Sequence, residues 1–418
     1  MAGRVITPIR TAIIGIGSMG KGLAYQAHIT PSIQCVGMAD CRIDRAIACA
    51  EFLGRDYRVV HHTNEAIDAI RQSHLAICED GRVLAQCDSV DVLIESSSDI
   101  AAGGAHAELA ISTGRAVVMM NAEADLIFGP YLMTFARRHG VVYTSTDGDQ
   151  PGVIAHLVDE LEGWGFELIM AGNMKGFLDR RSNPTAIIPE ADKRNFDYKM
   201  AAGYTDGSKL CIEMAVVANG LGLSTTVAGM VGPKIPHVRD VLSQFDFDAI
   251  RRGGAVVDYV LGAQPDGGVF AVGYCDHPYQ RSMLSMLKMG AGPYYVFYRP
   301  YHLCHVEAMA AVASAARGDA LLQPRFGFRT NVYAYAKTDL RRGASLDGFG
   351  GYTCYGLIEN VDPAHDADGL PLCLAEHVAL RRDVQQDERL TLADITHDPA
   401  SPAFAMFAKA VAASAALP

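Results

Sequence analysis

The chain has 418 residues, 50% of them hydrophobic and 20% charged, with 41 Gly and 18 Pro. That length implies two or three domains, and that composition excludes a disordered, collagenous or low-complexity polymer. The 36 basic and 47 acidic residues leave a formal charge of −11, which argues against a sequence-independent grip on nucleic acid or on an anionic membrane surface.

The amino terminus lacks the apolar core and cleavage site of a secretory signal. No stretch approaches the roughly 18 uninterrupted apolar residues that span a bilayer. The ten cysteines contain no Cys-x-x-Cys pair, the usage of reduced, buried thiols rather than of a disulfide frame or zinc ribbon. A cytoplasmic protein is expected.

From Arg10 an apolar segment of strand length feeds three glycines and then a helix-forming stretch. Gln34 to Asp40 reads as a second strand and Ala46 to Leu53 as part of a helix. Further strands are expected at Val90 to Ile94, Ala116 to Met120 and Gly140 to Tyr143, separated by helical spacing at Ala105 to Ser112 and Tyr131 to Arg138. Alternating strand and helix over residues 1–150 predicts a Rossmann-type parallel sheet covered on both faces. Beyond Pro151 a polar stretch, Asn173 to Lys199, precedes a buried helix over Leu210 to Leu223. Strands at Gly268 to Tyr274 and Gly292 to Tyr298 follow, then a helix at His302 to Arg317 that Pro324 stops. Residues 151–330 are therefore expected to form a central α+β catalytic and oligomerisation domain. Residues 331–418, with short strand-like pieces, Gly and Asp turns and an Ala-rich tail from Ala403, suggest a small β-rich third domain. The fold class expected is α/β.

Gly15-x-Gly17-x-x-Gly20 lies between the first strand and its helix, the context a dinucleotide fingerprint requires. Gly15 permits the tight turn, Gly17 lets backbone approach a pyrophosphate, and Gly20 lets helix pack near strand, while Ser18 and Met19 sit where helix-terminal N–H groups face an anion. Asp40, 25 residues after Gly15, can accept from ribose hydroxyls. Ser97 and Asn121, just past the next strands, complete the candidate cofactor contacts. A flavin or S-adenosylmethionine site is the alternative on the same architecture. Asp40 disfavours a 2′-phosphate whereas Arg42 and Arg45 neutralise one, so NAD(H) and NADP(H) both stay open.

Asp206, Lys209 and Glu213 follow i, i+3, i+7 spacing, which puts them on one face of an otherwise apolar helix. Ionisable groups entering a buried helix are costly unless they meet a polar cavity, so this row reads as a catalytic wall, the alternative being an exposed salt-bridge ladder. Lys175, Arg180, Arg181, Ser182 and Asn183 crowd a loop between Gly172 and Pro184 with the chemistry of a phosphate or carboxylate clamp, or of an ordinary solvated crossing. Glu123, Asp147 and Asp149 follow strands directly, where open α/β sheets bind ligands. Glu123 and Asp149 can position a substrate hydroxyl, and all three are candidates for a divalent ion, although strand-end Asp is also a common turn former. His302-Leu-Cys304-His305 has the look of a metal motif, but on an Ala-rich helix it reads as core packing plus one polar contact, with a metal site as the alternative.

The glycine fingerprint, together with Gly203-Tyr-Thr-Asp206-Gly-Ser-Lys209-Leu, resembles homoserine dehydrogenase-like oxidoreductases that carry a C-terminal SAF (β-clip) domain. The Asp-to-Lys separation differs from that family by one residue. The third region, Ala334 to Asp347 through Leu390 to Ile395, looks like the SAF domain. Within this subset are enzymes resembling 1-deoxy-D-xylulose 5-phosphate reductoisomerase in activity. Asn121-Ala-Glu123 and Asp147-Gly-Asp149 are similar to that enzyme's Asn-Lys-Glu and metal-binding Asp-Ser-Glu segments, with Ala122 in place of Lys and Asp149 in place of Glu. The resemblance implies a nicotinamide-dependent reductoisomerase of isoprenoid precursor synthesis, with Mg or Mn as a further cofactor, acting on a small anionic polyhydroxylated substrate as a homodimer or homotetramer. Lys209 is the expected proton donor, with Asp206, Glu213 and Lys175 beside it. Homoserine dehydrogenase, or a sugar-acid dehydrogenase or oxidoisomerase, is the alternative enzyme. Outside enzymes, the alternative is a cofactor-binding regulator.

Overall fold

The computed structural model describes residues 7–194, 196–361 and 368–418. The first elements are β1 (Ile9–Ile14), α1 (Ser18–Ile29), β2 (Ile33–Ala39), α2 (Ile43–Phe52), β3 (Tyr57–Val59), α3 (Thr63–Arg71) and β4 (Leu75–Cys78). Next come α4 (Arg82–Ala85), β5 (Val92–Glu95), α5 (Ile100–Ser112), β6 (Ala116–Met119), α6 (Ala122–His139), β7 (Tyr143–Ser145) and α7 (Gln150–Gly163). The chain continues through β8 (Glu167–Lys175), α8 (Ile188–Arg194), α9 (Tyr198–Thr205), α10 (Ser208–Leu221), α11 (Phe247–Gly253), β9 (Val256–Leu261) and β10 (Val269–Tyr274). It ends with α12 (Pro278–Met286), β11 (Tyr294–Arg299), α13 (Cys304–Arg317), β12 (Thr330–Ala336), β13 (Ser345–Asp347), β14 (Cys354–Asn360), β15 (Glu376–Leu380), β16 (Ile395–Thr396) and α14 (Pro402–Ser414).

These elements form two compact units. The first runs up to Gly152 and takes in Leu303–Gln323 and Met406–Ala416. Its seven-stranded sheet has the order β3-β4-β2-β1-β5-β6-β7, and every pair is parallel. β1 and β5 are near-continuous apolar runs because a parallel strand is buried on both faces: Ala12, Ile13, Leu93 and Ile94 are all fully buried. The chain leaves β1 toward β2, β4 and β3, then returns to its other side with β5, β6 and β7. That reversal makes β1/β5 the switch point, where open α/β sheets bind ligands. The helix expected from His302 begins at Cys304, and its Ala308, Met309, Ala311, Val312 and Ala315 join this core with Leu23, Ala24 and Ala27 of α1. Two strands, β3 and β4, were not legible in the sequence, being only three and four residues long. β7 starts at Tyr143 rather than Gly140, because Gly140 takes φ +69° as the left-handed cap of α6.

The second unit comprises Val153–His302, Pro324–Ala405 and the last two residues. Its main sheet has the order β11-β10-β8-β9, with β8 and β9 parallel and β10 antiparallel to both β8 and β11. Ile169, Met170, Phe270, Val272 and Val296 belong to the core it helps enclose. α10 is buried from Ser208 through Gly220, and it packs against β12 and β14. The β-rich remainder is an antiparallel β12–β14 pair and a small β13-β15-β16 sheet. The polar stretch Asn173 to Lys199 is not a bare loop. β8 extends through Lys175, and α8 and α9 follow, the latter started by Asp197, whose side chain accepts the Met200 N–H at 3.0 Å.

Candidate active site and dinucleotide site

The glycine turn is built as its spacing requires. Gly15 has φ +89°, and a Cβ there would meet the Ser97 nitrogen at 2.5 Å; a Cβ on Gly20 would lie 1.8 Å from the Gly15 carbonyl oxygen. At Gly17 the Cβ direction is open, and Gly17 is the N-cap of α1. An unfilled cradle at a helix N-terminus, with first-turn N–H groups that lack intrahelical partners, fits the pyrophosphate of a dinucleotide. Ser18 and Met19 lie in that first turn.

Asp40, directly after β2 and only 6% exposed, braces the turn. Its Oδ2 accepts from the Ile16 N–H at 2.7 Å and its Oδ1 from the Arg42 N–H at 2.9 Å. Each carboxylate oxygen keeps a lone pair for a ribose hydroxyl. The Arg45 guanidinium stands 4.0 Å from Oδ2, so the sign of charge beside the ribose is mixed.

At the end of β5 the sequence reading missed Glu95, which is fully buried. Its Oε1 accepts from the Ser97 N–H at 2.8 Å and from the Ser97 hydroxyl, and its Oε2 lies 2.9 Å from His106 Nδ1. Asn121 donates to the Ser97 carbonyl at 2.8 Å and caps α6 by accepting from the Ala124 N–H. Ser97 and Asn121 thus fix the loop after β5 through bonds of their own. An acidic residue closing an apolar strand was the sequence signal for Glu95.

The carboxylates offered for a metal do not gather. Asp147 accepts from the Gly148 N–H at 2.7 Å and Asp149 from the Gln150 N–H at 3.1 Å, each shaping its own turn. Among the described residues, Glu123, Asp147 and Asp149 form no group close enough to share one ion. Asp149 Oδ1 also lies 3.8 Å from the Cys304 thiol. The reading of His305 as packing agrees with its ring, which lies against the Gly22 backbone of α1.

In the second unit the predicted helix row is broken between its first and second members. Gly207 adopts φ +84° and caps α10, so Asp206 closes α9 instead of riding on α10. The three groups are nonetheless all buried, at 2% for Asp206, 9% for Lys209 and 4% for Glu213. Asp206 Oδ1 accepts from the Ser208 N–H at 2.8 Å, and its Oδ2 pairs with Lys337 at 2.7 Å. Burial pushes the Asp206 carboxyl up from its ordinary range, against the pull of Lys337. Lys175, the last residue of β8 rather than a loop residue, is held down by burial while the carboxylates of Glu213 and Asp206 pull its ammonium back up. Sequence reasoning did not single out Lys337, although a lysine directly after an apolar strand is a visible signal. Its ammonium, 5% exposed, also donates to the carbonyls of Ser182 at 2.6 Å and Gly351 at 2.8 Å.

The rest of the Gly172–Pro184 segment is largely committed to structure. Asn183 Oδ1 accepts from the N–H groups of Thr185 and Ala186, making a helix-start turn. Arg181 pairs with Asp387 at 2.5 Å and donates to the Lys337 carbonyl. Arg180 lies over the Tyr355 ring at 5.8 Å, and Ser182 is buried with its carbonyl on Lys337. Among the described contacts of Arg180 there is no close ion pair, although Asp387 attracts it through space.

A seven-stranded parallel sheet with a glycine turn and a braced acidic residue at its switch point defines a Rossmann-type dinucleotide-binding protein. Residues 148–308 match the family profile described as "Oxidoreductase DRL, catalytic domain". No curated protein shows significant similarity to it. Among solved structures, the biliverdin reductase of Synechocystis sp. PCC 6803, crystallised with biliverdin and NADP+, is 16% identical at a TM-score of 0.29. That likeness covers 42% of this chain and 49% of the reductase, so the chain spans about half its length. A DOX-P reductoisomerase in complex with magnesium is 13% identical, TM-score 0.39, over 74% of this chain and 80% of that one. A 3-ketoreductase from Actinomadura kijaniata, bound to TDP-benzene and NADP, is 14% identical, TM-score 0.36, over 75% and 91%. No helix among the described residues is long and apolar enough to cross a membrane.

Proposed function

We propose that the chain is an NAD(P)-dependent reductase of a small, anionic, polyhydroxylated carbonyl substrate, of the 1-deoxy-D-xylulose 5-phosphate reductoisomerase type, acting in isoprenoid precursor synthesis. The observation that carries this reading is the cluster in the second unit, where buried Lys209 and Lys337 and half-buried Lys175 stand with the buried carboxylates of Asp206 and Glu213. Such a cluster can bind an anionic substrate. It also supplies cations to hold a developing alkoxide and an ammonium proton to quench it.

The Gly15–Gly20 turn with Asp40 would hold the dinucleotide, whose nicotinamide supplies a hydride when bound. Lys209 stabilises the alkoxide oxygen, and Lys175 or Lys209 delivers the proton that completes the alcohol. Glu213 balances the lysine charge, and Arg180 receives the phosphate. No step is assigned to a metal, since Glu123, Asp147 and Asp149 do not gather around one point. The β-rich segment from 331 is read as SAF-like, and the protein as a cytoplasmic homodimer or homotetramer. Homoserine dehydrogenase remains the second reading, carried by the Asp206-to-Lys209 segment. Incubating the protein with sugar phosphates, sugar acids and homoserine while following nicotinamide absorbance decides between them. Fastest turnover of homoserine overturns the phosphosugar reading.

A further inference from the structure

β5 ends on Glu95, a fully buried carboxyl that the proposed reaction leaves unused. Its Oε1 accepts from the Ser97 N–H at 2.8 Å and from the Ser97 hydroxyl, and its Oε2 stands 2.9 Å from Nδ1 of His106 on α5. The far edge of that ring lies against Gly81, where a Cβ would come within 2.8 Å of Nε2, so the carboxyl is held at both oxygens. A hydroxyl carries a single hydrogen. The other acceptor in reach of Ser97 Oγ, the Asp99 carbonyl, is 3.4 Å away. The hydrogen therefore goes to Glu95, and Ser97 Oγ is left with lone pairs alone. The place of this half-buried serine is fixed as well. Its carbonyl accepts from the Asn121 amide at 2.8 Å, and the hydroxyl of the preceding Ser96 lies 2.9 Å from the carbonyls of Ile14 and Gly15.

The sheet order relates this oxygen to the glycine turn. β2, β1 and β5 are consecutive neighbours, with Asp40 after β2, the Gly15–Gly20 turn after β1 and Ser97 after β5. A dinucleotide with its pyrophosphate on the turn and its adenosine ribose at Asp40 lays its other half over the end of β5. We propose that Glu95 is a positioning residue for that half: by taking the Ser97 hydrogen it makes Ser97 Oγ an acceptor for a hydrogen-bond donor of the nicotinamide riboside, either a ribose hydroxyl or the carboxamide amine. The inference rests on reading the Gly15–Gly20 turn as the dinucleotide site. A serine hydroxyl without such a partner rotates and has to be ordered by the ligand, whereas one held by Glu95 is ordered before the ligand arrives. Fully buried, Glu95 acts on the cofactor only through Ser97.

The test is calorimetric titration of the full-length protein with NADH and NADPH, with ADP-ribose, and with ADP, which lacks the second ribose and the nicotinamide. Ser97→Ala, and Glu95→Met, which fills the buried space without an acceptor, should each weaken the tighter-binding nicotinamide nucleotide about 3- to 10-fold, the span of one hydrogen bond. Both should leave ADP unchanged. The double variant should lose no more than Ser97→Ala alone, because Glu95 acts through that hydroxyl. Glu95→Gln keeps a carbonyl oxygen for Ser97 and should bind as the unmodified protein does. ADP-ribose weakened in parallel identifies the ribose hydroxyl as the donor, and ADP-ribose unmoved identifies the carboxamide amine. A merely structural Glu95 would weaken ADP and the dinucleotide together, since Gly15 lies against the Ser97 nitrogen. That result overturns the proposal, as does an additive loss in the double variant. Should Glu95→Met not fold, Ser97→Ala still decides: an unmoved ratio of dinucleotide to ADP affinity overturns the proposal. If neither NADH nor NADPH binds the unmodified protein, the dinucleotide reading falls with it; if one binds and these ratios do not move, the positioning role alone falls.

Discussion

Removing one partner of the Asp206–Lys337 pair is the most informative single perturbation of the fold. The side chains are 0% and 4% exposed and 2.7 Å apart, so neither charge has water to fall back on. Asp206→Asn leaves an ammonium held by two carbonyl oxygens in a dry site, and breaking a buried pair this way costs about 3–5 kcal/mol. For a unit of this size that is a fall in melting temperature of roughly 6–20 °C. Lys337→Met leaves a buried carboxylate instead. Its folded affinity for protons lies above the unfolded one, so the penalty vanishes below the unfolded value near pH ~3.9 and grows as pH rises toward the folded value. The double variant removes both charges and should recover most of the loss, retaining a deficit of about 1–2 kcal/mol for the hydrogen bonds to Ser208, Ser182 and Gly351. Urea denaturation of the four proteins at neutral and acidic pH reads the coupling. Single effects that simply add, within the roughly 0.5 kcal/mol expected of independent sites, would refute a buried pair.

Gly17→Val should fold, because the Cβ direction is open, yet abolish the rise in melting temperature that NAD(H) or NADP(H) gives; a preserved shift removes this turn from the cofactor site. Lys209→Ala should lower kcat by about 10²-fold with cofactor affinity intact, and Lys209→Arg should rescue little, as measured by steady-state kinetics; normal turnover in the alanine variant makes Lys209 structural. Arg180→Ala should raise KM for a phosphorylated substrate about 10-fold or more, the scale of a charge-assisted hydrogen bond, while Arg181→Ala, whose guanidinium is engaged by Asp387, should change it less; the reverse order would contradict the assignment. Asp125 is buried, accepts from the hydroxyls of Tyr143 and Ser145, and is pushed up by burial to about 6. Stability should therefore fall by about 3 kcal/mol as pH rises from about 4 to 6, and Asp125→Asn should flatten that slope in pH-dependent denaturation.

The dinucleotide half was legible because its signals are local. A strand, three glycines at fixed spacing, a helix and an acidic residue all fall within Arg10 to Asp40, where Gly20 packs on the Gly15 carbonyl and Gly17 leaves its Cβ direction open, while Gly15 meets Ser97 at the end of a later strand. The second unit was less legible. Gly207 starts a new helix, so a count of three and seven residues from Asp206 misplaced that residue even though burial still brought it to the cluster. Lys175 looked like a loop residue because β8 ends in polar side chains, and Asn183 and Arg181 looked like ligand donors although local turns and Asp387 occupy them. Lys337 meets Asp206 across 131 residues of chain, and Glu95 meets His106 through strand and helix packing. Pairings of that range leave no periodic trace in a single sequence.

The most direct test of the account is hydride tracing. The protein is given 1-deoxy-D-xylulose 5-phosphate and NADPH deuterated at the transferring position, and the products are weighed by mass spectrometry. The expected product is a reduced, branched phosphosugar carrying one deuterium, formed far more slowly by Lys209→Ala. A protein that binds the cofactor but transfers no deuterium to this or any other phosphosugar, while transferring it to or from homoserine, contradicts it.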